Sequence, residues 1–272
     1  MRNHSNKNIR IYLYLVIVST LCLSIGLSYS LTNDVLAQPS ISAASDNVTN
    51  LQSNISAESI FNTKTMTLGN NVQTLVILIP NEGHHAAGED DEARFLDQHF
   101  VPENAVINAG TTVLWFNGDV GHERTIDLKD TSSNTVFNTG EIIDSQASQP
   151  FTFSNVGTYN YEAEGDPGVI MTGSVTVDNI QSPVISSSAN ASTSNIDTVG
   201  VLMVPTQDID EYISQITSAG ITVDSTYDFQ DLRGGQEGTG DVQTLIVWTT
   251  GGKDFNETLS SLSELSSNLP YS

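Results

Sequence analysis

The sequence predicts a mainly β protein: an antiparallel β-sandwich followed by a small α+β module. Three observations predict it. Between Thr74 and Val177 the apolar residues fall in short β-branched and aromatic runs, separated by turn residues and without a sustained helical period. Between residues 179 and 197 the composition turns to Ser, Asn and Ala, which reads as a linker. Beyond Thr198 strand patterns alternate with apolar residues at helical spacing.

The chain divides into residues 1–37, 38–70, 71–178, 179–197 and 198–272. The first segment carries Arg2, Lys7 and Arg10 ahead of an apolar run from Ile11 to about Leu31, then Val35-Leu-Ala37. That order is a secretory signal with cleavage expected after Ala37, or an uncleaved N-terminal anchor, because the run is about as long as a bilayer is thick. Either way the remainder is expected outside the cytoplasm, as a secreted, periplasmic or cell-surface protein. Residues 38–70, rich in Ser, Asn and Thr, read as a flexible stalk.

In the sandwich, Thr74–Ile79 is a buried strand by its β-branched content and its stop at Pro80. The polar loop Glu82-Gly-His-His-Ala-Ala-Gly-Glu-Asp-Asp-Glu92 follows. Further strands are expected at Ala105–Ile107, Gly110–Asn117, Thr125–Leu128, Val136–Phe137, Phe151–Phe153, Tyr159–Tyr161 and Ser174–Val177. In the last segment, Val199–Val204 is a strand and Ile209, Tyr212, Ile213, Ile216 and Ala219 mark a helix stopped by Gly220. Ile221–Phe229 and Val242–Thr249 are strands, and Phe255, Leu259, Leu262 and Leu265 mark a last helix. This order is similar, at pattern level, to a truncated ferredoxin-like module.

Composition removes several function classes. A net charge of −23 repels phosphate backbones and anionic lipid, so no nucleic-acid partner is expected, and membrane contact only through the N-terminal segment. The single cysteine, Cys22, lies in the apolar N-terminal run, so the chain beyond Ala37 has no disulfide, thiolate nucleophile or cysteine ligand. The glycine-rich Gly234–Gly240 lacks the Lys-Ser/Thr ending of a phosphate loop, and no Gly-x-Ser-x-Gly elbow occurs. An enzyme is therefore not expected.

Several short motifs follow one another in a recognisable order. They are Phe100-Val-Pro102, then Gly110-Thr-Thr-Val-Leu-Trp-Phe-Asn117 with Asp119 and His122, Phe137-Asn-Thr-Gly140, Phe151-Thr-Phe153, and Gly157-Thr-Tyr-Asn-Tyr161 with Met171 and Gly173. Over residues 72–178 the chain resembles the cupredoxins, the plastocyanin and azurin group of small copper proteins. The resemblance implies a cupredoxin-like Greek-key sandwich and a copper site at one end of it. It places the first histidine ligand at His122 and the thioether at Met171, but the thiolate at Ala163 and the second histidine at Asp166. A blue copper centre needs the thiolate and both imidazoles, so the type 1 site is degenerate.

Other donors stand upstream. His84, His85, His99 and His122 are all the histidines beyond the N-terminal segment. Copper(II) binds clustered imidazole and carboxylate in tetragonal, non-blue sites. The expected relocated site uses His122 and His99 with His84 or His85, joined by Asp166 or Met171. Adjacent histidines on an extended chain point to opposite sides, so one of the pair is expected to take part. The functional expectation is copper handling at this site, with electron transfer as a secondary role. The alternative is a metal-free sandwich acting as a surface interaction module, contacting a protein partner through residues 198–272.

Overall fold

The computed structural model describes residues 55–88, 93–178, 198–232, 242–251 and 260, all within the compact unit Asn50–Ser272. Residues 1–54, the whole expected linker 179–197 and, apart from residue 260, the expected last helix lie outside them. Among the described residues, no helix is long and apolar enough to cross a membrane.

The strands are β1 (Thr65–Thr67), β2 (Thr74–Ile79), β3 (Asn104–Asn108), β4 (Thr112–Asn117), β5 (Arg124–Lys129), β6 (Thr135–Ile142) and β7 (Gln146–Ala147). Then come β8 (Phe151–Thr152), β9 (Gly157–Glu164), β10 (Ile170–Asp178), β11 (Thr198–Pro205), β12 (Thr222–Gln230) and β13 (Val242–Thr250). Two α-helices, α1 (Ala57–Thr63) and α2 (Ile209–Ser218), and a short 3-10 turn at Thr206–Asp208 complete the described elements. The mainly β class is as expected, and every expected strand is present with modest shifts of its ends.

One sheet runs β1-β3-β10-β9-β5-β6 and the other β12-β13-β11-β2-β4-β7, with β8 also on β4. The sheets are mixed rather than purely antiparallel: β2 pairs in parallel with β4, and β3 in parallel with β10. Between them lies an apolar core that includes Leu75, Ile77, Ile79, Phe100, Trp115, Phe153, Tyr161, Met171 and Val175. Trp115 and Tyr161 meet edge to face at 5.3 Å, a favoured aromatic geometry.

The C-terminal segment continues the second sheet. β11 pairs in parallel with β2, Thr198 to Gly200 against Thr74 to Val76. β13 lies between β11 and β12 and is buried along nearly its whole length, as a strand covered on both faces must be. Trp248 packs across its partner Gly200, where a Cβ would collide with the indole. Where β11 turns away, Val101 takes its place beside β2 through reciprocal backbone bonds with Leu78 of 2.8 and 2.9 Å.

Residues 55–70, expected as stalk, are structured. Ser56 caps α1 by accepting from the Ser59 N–H, and Ala57, Ile60 and Phe61 turn one apolar stripe inward. Phe61 stacks on Tyr227 and Phe229 of β12 at 5.1 and 5.0 Å. The polar composition of the surrounding window hides this short periodic stretch.

Candidate metal centre

β2 ends at Pro80, which has no N–H to continue the ladder. The chain then curls: Gly83 N–H donates to Pro80 O at 2.9 Å, and His85 N–H to Glu82 O at 3.2 Å. Glu82 sits in the left-handed region at φ 59, uncommon for a residue with a side chain. On this curled backbone consecutive side chains need not alternate. The His84 and His85 rings lie together, centroids 4.0 Å apart. The expectation that one of the pair takes part assumed an extended chain, and this turn is not extended.

His122 arrives from the turn between β4 and β5. Its N–H donates to Asp119 O at 3.2 Å, and its carbonyl accepts from Asn117 Nδ2 at 2.7 Å. Its ring lies 4.1 Å from that of His84. Three imidazoles therefore stand in series, with buried His84 between half-buried His85 and exposed His122.

Carboxylates hold two of these rings. His84 Nδ1 is 2.8 Å from Oδ2 of Asp119, which is fully buried. The same oxygen accepts from Arg124 Nε at 2.9 Å and Nη2 at 2.6 Å, while Oδ1 accepts from the Glu82 N–H at 3.1 Å. His85 Nδ1 is 2.5 Å from Asp166 Oδ2, and its Nε2 is 2.7 Å from Glu82 Oε2. Burial pulls the His85 pKa down, but the hydrogen bond and charge of Asp166, joined by Glu82, outweigh it and leave it raised. The hydrogen bond from His85 in turn holds Asp166 below the usual carboxylate value. Among the described residues, Glu82, His84 and His85 form a group whose ligand atoms all lie within 4.8 Å of one another.

The loop between β9 and β10 closes over the turn. Asp166 N–H donates to His84 O at 3.1 Å. The approach requires glycine at 165, since a Cβ there would stand 2.5 Å from His84 O.

The remaining expected ligands are placed elsewhere. His99 Nδ1 is 2.8 Å from Gly83 O, and Arg94 Nη1 stands 2.6 Å from its Nε2. Both ring nitrogens are thus engaged, and His99 is tied to the turn at Gly83. Burial, opposed by the Gly83 carbonyl and aided by the Arg94 charge, lowers its pKa. Met171 is fully buried in the sandwich core, directly across from Ala163. Glu82, Asp119 and Arg124 went unrecognised as site residues. Asp119 falls inside the motif run that carries the resemblance, and that was the available signal.

A thiolate-ligated centre does not fit these residues, because the buried methyl of Ala163 offers no donor where the sulfur belongs. The nitrogen and oxygen donors around His84 fit a non-blue copper(II) site in kind.

No protein-family model matches the chain, and no curated protein matches it. Among solved structures it is similar to a purple cupredoxin from Nitrosopumilus maritimus, with 25% identity over 38% of this chain and 99% of that one, at a TM-score of 0.30. Reduced rusticyanin matches at 18% identity over 45% of this chain and 94% of its own, at a TM-score of 0.30. A reduced amicyanin variant matches at 19% identity over 39% and 82%, at a TM-score of 0.28. Scores this low identify no function.

Proposed function

We propose that the protein binds copper(II) outside the cytoplasm through His84 and His122, with His85 and a carboxylate of Glu82 or Asp166 completing a non-blue site. The observation that carries this reading is the series of three imidazole rings, drawn from two separate turns and spaced 4.0 and 4.1 Å apart. Asp119 holds the His84 ring, Glu82 and Asp166 hold the His85 ring, and the His122 ring meets them from a separate turn. Bound copper would supply a Lewis acid and a one-electron couple at this end of the sandwich. The chain's own residues orient the donors, and His85 must release Glu82 or Asp166 before it can coordinate. Binding, buffering or delivery of copper follows, with electron transfer secondary in the absence of a thiolate. The extracytoplasmic placement rests on the N-terminal charge and apolar pattern.

Copper(II) titration of the protein beyond Ala37, followed by absorption, tests the proposal. The expected result is saturable binding with weak ligand-field absorption. No uptake at micromolar copper, or the intense band of copper–thiolate charge transfer, contradicts it. A metal-free interaction module is favoured by one observation: both nitrogens of His85 already have carboxylate partners. The same titration decides between the two.

A further inference from the structure

We propose that Asp119 is the positioning residue of this centre, holding His84 as the Nδ1–H tautomer so that Nε2 alone is offered to a metal. Its role in binding rests on the copper reading above, while its effect on the tautomer does not.

The argument starts at one oxygen. Asp119 Oδ2 receives Arg124 Nε at 2.9 Å, Arg124 Nη2 at 2.6 Å and His84 Nδ1 at 2.8 Å. A carboxylate clamped by a guanidinium is an acceptor only, so the imidazole nitrogen facing it must carry the proton. A neutral imidazole has one donor and one acceptor nitrogen. With Nδ1 donating, the lone pair of His84 lies on Nε2. Second-shell carboxylates fix ligating histidines in this way, setting both the tautomer and the ring plane.

Asp119 also reaches the other ligand-bearing segments. Oδ1 accepts from the Glu82 N–H at 3.1 Å, which pins the residue that opens the histidine turn. Its backbone carbonyl accepts from the His122 N–H at 3.2 Å. A single fully buried residue thereby ties the turn at 82–85 to the turn at 119–122. Arg124 balances its charge, and Asn117 Oδ1 receives its N–H at 3.1 Å. Every polar group of Asp119 is used, and each bond runs to a ligand-bearing turn or to a group that holds Asp119 in place.

Long-range 1H–15N correlation spectra of the metal-free protein at neutral pH read the tautomer directly. The expected result is a protonated Nδ1 and an unprotonated Nε2 on His84. In Asp119→Asn, whose amide can donate as well as accept, the preference is expected to relax towards a mixture. Copper(II) affinity, measured by chelator competition, is expected to fall by about 10–100-fold, the usual cost of losing a second-shell partner. Asp119→Ser, whose hydroxyl can donate as well as accept, should relax the tautomer in the same direction and gives a second variant should Asp119→Asn fail to fold. An Nε2–H tautomer in the wild-type protein overturns the proposal, as does an unchanged tautomer in folded Asp119→Asn. Absence of copper uptake by a wild-type protein with the Nδ1–H tautomer overturns the copper reading instead.

Discussion

Two segments meet at one end of the sandwich, the loop between β9 and β10 and the turn after β2, and Asp166 N–H joins them at His84 O. The loop between β9 and β10 keeps the frame: Tyr161 pairs with Gly173 and Ala163 with Met171 in an unbroken antiparallel register. At the positions where the cupredoxin resemblance would put ligands it carries the methyl of Ala163, the carboxylate of Asp166 and the thioether of Met171, which is packed in the core. The turn after β2 has no such register, yet it carries His84 and His85. A frame is set by sheet pairing and core packing, which resist change, whereas donors sit on turns that tolerate it. The frame therefore identifies the architecture, and the chemistry proposed above rests on the turn.

Substitutions on each side should separate the two roles. His84→Ala removes the middle ring of the series and should lower copper affinity by more than about 100-fold, beyond the range typical of second-shell losses. Chelator competition measures it, and a smaller loss would move the centre away from the turn. Gly165→Ala should cost about 1–3 kcal/mol, because the added methyl meets the His84 carbonyl at 2.5 Å and neither backbone can retreat freely. Urea unfolding reads that cost, and a neutral result would mean the loop does not seat on the turn. Met171→Leu keeps volume in the core and should cost less than about 1.5 kcal/mol while leaving copper affinity unchanged. A marked drop in affinity would return the thioether to the ligand set.

The smallest effect belongs to His99. Its pKa is lowered from the ordinary value of 6.5, so its contribution to stability is complete above that value and is lost as pH falls from there through the folded value. His99→Gln should flatten that part of the stability profile. Thermal unfolding of both proteins between pH 7.5 and pH 5 (roughly the histidine titration range) compares the slopes, and parallel profiles would contradict the buried neutral state.

Much of the fold was legible because strands announce themselves locally. Thr74–Ile79 and Val242–Thr249 are β-branched runs with clear stops, and Ile209 to Ala219 repeats at helical spacing. Strand pairing is not local, so neither the parallel contact of β11 with β2 nor the continuous sheet it creates could be read from those runs. In α1 three apolar residues on one stripe were outweighed by the polar residues around them. At the site, the histidines and Asp166 were legible as residue types. Their arrangement depended on one left-handed residue, Glu82, which curls the turn and gathers His84 with His85. His99 illustrates the converse: its chemistry suits a metal, but Arg94 and Gly83 O had already taken both nitrogens.

Electron spin resonance of the copper(II)-loaded protein tests the central claim most directly, since it reports the ligand atoms themselves. The expected result is a tetragonal spectrum with coupling to imidazole nitrogen, weakened by His84→Ala and by His122→Ala separately. A spectrum without nitrogen coupling, or one indifferent to both substitutions, would contradict a centre built on the histidine turn.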